Sequence, residues 1–146
     1  MSWKTLEDHQ PELAAFGVER LNGRVAYLAT VRKDGSPRVH PMTPIIGQGH
    51  FFVFMEPTSP KGHDLQRDGR YAIHCEVSDN SGASGEFIIT GRAHLVDSAE
   101  LRALAVRLAS YAPADRYILF EFDIESAAST TYPEDQPVRY FWKRDM

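Results

Sequence analysis

The stretch Glu56-Pro57-Thr58-Ser59-Pro60-Lys61-Gly62-His63-Asp64-Leu65 carries the densest set of groups able to hold an anion. Ser59 has the form of a helix N-cap. Pro60 suits a first helical position, where a missing N–H costs nothing. Lys61 then falls in the first turn, at the helix end that carries free N–H groups and about half a positive charge. A cation is disfavoured there unless an anion is bound, and phosphate is the usual one. The Thr58 and Ser59 hydroxyls can donate to the same oxygens. The same residues also describe an ordinary capped surface helix with a solvated lysine.

A second segment, Gly35-Ser36-Pro37-Arg38-Val39-His40-Pro41-Met42-Thr43, reads as a strand running on to Ile46. Pro37, Pro41 and Pro44 cannot all donate to a ladder, which predicts a sheet edge or a sharp bend. A strand kinked in this way can aim amides and carbonyls at a planar heterocycle. Arg38 and His40 share one face by the period of two. The plainer alternative is an exposed edge protected from aggregation by its prolines.

The remaining reactive residues form no such set. The six histidines show no paired ligand spacing, so no metal site is expected. Cys75, the single cysteine, is expected to be an inert buried thiol. His74 and His94 read as satisfied strand residues. Gly47-Gln48-Gly49 is not a dinucleotide fingerprint, because no helix follows it. Glu121, Asp123 and Glu125 alternate along a strand and read as a solvated face.

The elements that position these segments follow from periodicity. One opening helix is expected, capped by Thr5 or Asp8 with Pro11 in its first turn, with Leu13, Ala14, Phe16, Val18 and Leu21 at helical spacing and Asn22-Gly23 as its stop. Arg24 to Lys33 reads as a strand, with Val25, Tyr27, Ala29 and Val31 at alternate positions. Asp34-Gly35 signals a hairpin. Phe51-Phe52-Val53-Phe54-Met55 is dense enough for a strand buried on both faces. A short helix from Pro60 to Arg67 follows, then strands from Tyr71 to Val77 and Glu86 to Val96, with a bulge or a close contact expected at Gly91. A helix capped by Asp97 or Ser98 carries Leu101, Leu104, Ala105, Leu108 and Tyr111 on one face. Tyr117 to Ile124 and Val138 to Trp142 complete the strands. Helices inserted between short antiparallel strands predict a mainly β, α+β domain over residues 1–146, with a small barrel.

Taken together, Gly-x-Pro-Arg-Val-His-Pro-Met, the aromatic strand Phe51 to Met55, Thr-Ser-Pro-Lys-Gly and Thr90-Gly91-Arg92-Ala93 resemble the pyridoxamine 5′-phosphate oxidase-like FMN-binding split barrels. The resemblance spans Arg24 to Val96 best. It implies a six-stranded antiparallel Greek-key split barrel with flanking helices, and a homodimer with FMN at the interface. By the same resemblance His40, Pro41, Met42 and Thr43 line the flavin ring beside Arg38. Phe54 and Met55 contact the ring through their backbone. Ser59 and Lys61, with Thr58, hold the phosphate, and Trp142 reaches the site from the partner chain. Departures from the vitamin B6 oxidases proper are plain. Pro60 stands where they carry a basic residue, and Glu86 where they carry a glutamine. No Arg-x-His-Asp-Arg-like substrate motif occurs at Lys143-Arg144-Asp145-Met146. The expectation is an FMN-dependent oxidoreductase acting on a small molecule other than pyridoxamine phosphate, with no side chain named as catalytic. The alternatives are a reductase using deazaflavin F420, or a flavin- or haem-binding protein without turnover.

Composition bounds the reading. A chain of 146 residues can bury a core without metals or disulfides. A net charge of −4 argues against nucleic acid as main partner, since phosphate neutralisation needs a basic face. Met1 to Gln10 contain no apolar signal core and no run is long enough for a membrane helix, so a cytoplasmic protein is expected.

Overall fold

The computed structural model describes residues 2–145. Helices α1 (Ser2–His9) and α2 (Pro11–Leu21) open the chain. The expected helix with Pro11 in its first turn is α2; α1 before it was not expected, and Gln10, non-helical at φ −141° and ψ 70°, separates the two. The cause is Pro11, which lacks an N–H and disfavours helical geometry in the residue before it.

The strands are β1 (Ala26–Val31), β2 (Pro37–Met42), β3 (Ile45–Gly47), β4 (His50–Met55), β5 (Arg70–Cys75), β6 (Glu86–Leu95), β7 (Ile118–Thr131) and β8 (Val138–Lys143). Helices α3 (Pro60–Arg67) and α4 (Ala99–Leu108) lie between them. All strands join one antiparallel sheet in the order β2-β1-β5-β6-β7-β4-β3, with β8 paired to β7. β2 and β3 end opposite edges of this order, yet only Thr43 and Pro44 separate them in the chain. The three Cα steps from Met42 to Ile45 span about 11 Å at most. The sheet must therefore curl until its edges nearly meet, which makes it a split barrel with flanking helices.

The seven strands read from the sequence, and the six that the resemblance implies, become eight. The segment Pro37 to Ile46 breaks at Thr43-Pro44 into β2 and β3. The last strands are also longer and more numerous than the motif implies, β7 alone running fourteen residues. Its second half, Ser126-Ala127-Ala128-Ser129-Thr130-Thr131, is too small and polar to show a strand pattern, and is held by pairing with β6 and β8.

Gly91 does mark a bulge: the register between β6 and β7 shifts between Thr90 and Gly91. The main core holds Trp3, Phe51, Phe87, Phe120 and Phe122 inside the curl. A second cluster, Ile45, Phe52, Phe54, Leu104, Ala105 and Leu119, lies beneath α4. β4 thus gives Phe51, Val53 and Met55 to one cluster and Phe52 and Phe54 to the other. This explains why its sequence is continuously apolar. Glu121 corrects the reading of a solvated acidic face. It is buried and accepts from Ser2 Oγ (2.9 Å), while its Oε2 lies 2.5 Å from His50 Nδ1. Cys75 is buried and accepts the Phe87 N–H at 3.2 Å. No described helix is long and apolar enough to cross a membrane.

Candidate functional site

Helix α3 starts as its sequence dictates. The Ser59 hydroxyl accepts the Gly62 N–H at 3.2 Å, and Pro60 fills the first position. Gly62 leaves room for this cap, since a Cβ would lie 2.9 Å from Ser59 Oγ and push the capping hydroxyl aside. The cap uses Ser59 as an acceptor and leaves its O–H proton free to donate. Lys61 follows in the first turn and enters a cleft of about 330 Å³. The lining is Pro41, Met42, Thr43, Phe54, Met55, Glu56, Lys61, Tyr111 and Tyr117. Burial pushes the Lys61 ammonium below the ordinary lysine range. Among the described residues no carboxylate pairs with it. The nearest acid on the lining, Glu56, is taken by Arg116, whose Nε lies 3.0 Å from both carboxylate oxygens.

Six of the residues picked out from the sequence therefore meet in one cleft: Pro41, Met42, Thr43, Phe54, Met55 and Lys61. The kink at Thr43-Pro44 that closes the barrel is what turns Met42 and Thr43 toward the end of β4. The others do not line it: Ser59 caps α3 two residues before Lys61, and the rest lie elsewhere. Thr58 is exposed in the turn before α3. His40 sits on β2 opposite Leu28 and does not line the cleft. Trp142 is buried in the core of its own chain, its ring 5.9 Å from that of His9. It pairs with Ala127, whose small side chain leaves room for an inward indole.

Arg38 faces a second concavity, an open groove of about 640 Å³ lined by Arg32, Lys33, Asp34, Arg38, Pro60, His63, Asp64 and Arg67. There Arg38 is committed to structure. Buried Asp64 accepts from Thr30 Oγ1 (2.7 Å), Arg38 Nε (2.8 Å) and Arg67 (3.0 Å), tying α3 to β1 and β2. Burial alone would raise the Asp64 carboxyl pKa. The bonds from Arg38, Thr30 and Arg67 outweigh it and hold the group below the ordinary range. A carboxyl lowered on folding stabilises above its unfolded pKa of about 3.9, and stops doing so as pH falls through the folded value. Asp64→Asn is therefore expected to cost about 2 kcal/mol at pH 7 and progressively less below about pH 4, as read by urea unfolding.

The sequence reading missed Glu56, Tyr111 and Tyr117. Glu56 directly follows the aromatic strand and is legible by adjacency. Tyr111 was assigned to the apolar face of α4, but that helix ends at Leu108 and the chain then turns toward the cleft. Pro113 two residues on was the signal that a helix could not continue. Among the described residues no group of three or more His, Cys, Asp or Glu side chains is placed to hold a metal ion.

The pyridoxamine 5′-phosphate oxidase family pattern matches residues 11–132. No curated protein matches the sequence significantly. Among solved structures, a heme binding protein from Mycobacterium smegmatis matches with a TM-score of 0.71 at 19% identity, over 90% of this chain and 57% of its own. The chain thus spans little more than half of that protein's length. PhzG from Burkholderia lata 383, solved in complex with tetrahydrophenazine-1-carboxylic acid, matches at 0.65 and 18%, over 99% of this chain and 87% of its own. An F420 reductase matches at 0.58 and 16%, over 75% and 94%. At these identities the structural likeness speaks for the fold alone. The family pattern spans most of the chain, and the curled sheet has the same architecture: the chain belongs to the pyridoxamine 5′-phosphate oxidase-like split-barrel family.

Proposed function

We propose that the protein is an FMN-dependent oxidoreductase that works as a homodimer on a small molecule. The observation that carries this is the half-buried, carboxylate-free Lys61 ammonium at the start of α3, inside a cleft walled by apolar Met42, Phe54 and Met55. An unpaired ammonium in such a place fits a phosphate, and the apolar wall fits an aromatic heterocycle. Lys61 and the Ser59 hydroxyl would hold the phosphate, and the turn Pro41-Met42-Thr43 with Phe54 and Met55 would border the ring. When bound, the flavin supplies hydride and electron transfer. The chain's own task is to orient the ring, keep water from its face and neutralise the phosphate. No side chain of the cleft is assigned a proton to move.

The dimer rests on the outer face of the sheet. One row, Pro41–Tyr27–His74–Ile88–Ala128–Phe141, crosses β2, β1, β5, β6, β7 and β8. Val39 is 66% exposed beside it, Phe141 60% and Tyr27 44%. These exposed apolar side chains on one face support an interface there. Pro41 belongs to both this row and the cleft, so a second copy on the face would stand beside the site and could complete a cleft that lies at the small end for a cofactor. The double variant Val39→Lys, Phe141→Lys is expected to be monomeric at micromolar concentration by light scattering. A monomeric wild type would end the dimer reading.

A second reading, deazaflavin F420 in place of FMN, is favoured by the groove. Arg32, Lys33, Arg38 and Arg67 give it a positive balance over Asp34 and Asp64. It starts at Pro60, next to Lys61, so a ligand phosphate at Lys61 could continue into it as an anionic tail. The test is the absorbance of protein purified without added cofactor, followed by titration with FMN and with F420. Oxidised-flavin bands and tighter FMN binding support the first reading, and preference for F420 supports the second. A Soret band would replace both by a haem protein.

A further inference from the structure

The loop between α4 and β7, residues 109–117, is strapped across the end of β4. From α4, Arg102 donates to the Tyr117 carbonyl at 2.7 Å and to the Asp115 carbonyl at 3.1 Å. Its guanidinium lies 5.2 Å from the centre of the Phe54 ring, on a strand residue that lines the cleft. At the far end of the loop Arg116 grips Glu56, just beyond β4, and stacks 5.2 Å over the Tyr117 ring. These ties place Tyr111 and Tyr117 on the lining that holds Lys61. Among the described residues neither phenol has a hydrogen-bond partner. Burial, then the neighbouring Tyr117, pushes the Tyr111 hydroxyl above the ordinary phenol range, so it stays a neutral donor. One small cleft therefore holds an ammonium and two phenols, all of them able to donate, while its only carboxylate is spent on Arg116. Tyr111 is exposed and Tyr117 half-buried, so both phenols are open to an incoming ligand, and donors converging beside an ammonium favour an anion.

We propose that the Tyr111 and Tyr117 hydroxyls donate to the same ligand phosphate that Lys61 neutralises. The α4–β7 loop is then the third wall of an anion cup, and Arg102 and the Arg116–Glu56 pair are its positioning residues. This rests on the reading of the cleft as a flavin-phosphate site. Phenol-to-phosphate bonds are charge-assisted, and losing one weakens binding by about tenfold.

The experiment titrates wild type, Tyr111→Phe, Tyr117→Phe and the double variant with FMN and with riboflavin, by quenching of flavin fluorescence. Phenylalanine keeps the ring and removes only the hydroxyl, so the fold should persist, and near-ultraviolet circular dichroism checks it. The expected result is a loss of about tenfold in FMN affinity for each single variant, with riboflavin changed less than about twofold. Arg116→Ala should lower the FMN-to-riboflavin ratio in the same direction, and Arg116→Lys, which keeps a charge for Glu56, should restore part of it. A general loss of structure would weaken both flavins alike and leave that ratio unmoved. Equal losses for FMN and riboflavin, or no loss in either, would overturn the assignment while leaving the flavin site standing. A wild type that binds neither flavin would overturn the flavin reading and this assignment together.

Discussion

Replacing Lys61 by alanine is expected to weaken FMN binding about 10- to 150-fold while changing riboflavin binding far less. The magnitude is that of one charge-assisted hydrogen bond, roughly 1.5–3 kcal/mol, at tenfold per 1.4 kcal/mol. It is set by where the ammonium sits. Lys61 is half-buried, and burial has already lowered its pKa, so part of its hydration is lost before any ligand arrives. A phosphate beside it restores the charged form. The affinity for FMN, and the FMN-to-riboflavin ratio, should therefore fall as pH rises through the lowered Lys61 pKa, because the neutral amine no longer attracts the anion. In Lys61→Ala that pH dependence should vanish. The measurement is a titration of both proteins with both flavins at one ionic strength across neutral to alkaline pH. An unchanged FMN-to-riboflavin ratio in the variant would mean that Lys61 is a solvated helix-start lysine.

Gly91→Ala is expected to destabilise the fold by about 3 kcal/mol or more, with poor expression as the cellular counterpart. A Cβ built on Gly91 would sit 1.9 Å from the Asp123 carbonyl oxygen and 3.1 Å from the Glu125 backbone nitrogen. The obstacle is backbone of the paired strand, so no side-chain rotation can relieve it. β6 and β7 must separate at the bulge, and that pair forms the longest ladder of the sheet. The neighbouring Tyr71 hydroxyl also donates to the Asp123 carbonyl at 2.8 Å, which fixes the oxygen in place. Urea unfolding of wild type and variant reads the loss. A variant within 1 kcal/mol of wild type, on the order of ordinary surface changes, would show that the bulge can open without cost.

Where a feature depended on neighbours in the chain, it was legible. The bounds of α3 follow from Ser59 and Pro60, because capping is settled within three residues. The edge position of β2 follows from its prolines, and the double burial of β4 from its unbroken apolar run. The bulge at Gly91 was readable because a lone glycine in a long strand has few other uses. Of the six cleft residues, Lys61 was legible from its place at the helix start, while Pro41, Met42, Thr43, Phe54 and Met55 were picked out by the family resemblance.

What sequence could not show are the pairings made across distance. Nothing near Glu121 tells that Ser2 and His50 will bury it, for these lie 119 and 71 residues away. Nothing near Arg38 tells that Asp64 will draw it out of the cleft and into the groove. The strand character of residues 126–131 is imposed by β6 and β8 on small polar side chains that carry little preference of their own. Tyr111 and Tyr117 reach Lys61 only because Arg102 and Arg116 hold their loop against β4. Local sequence determined the start of α3, the edge strand and the residues able to meet a phosphate. Closure of the sheet decided which of them share a cleft, because only a curl that brings β2 beside β3 sets the Thr43 turn, the end of β4 and the first turn of α3 around one space.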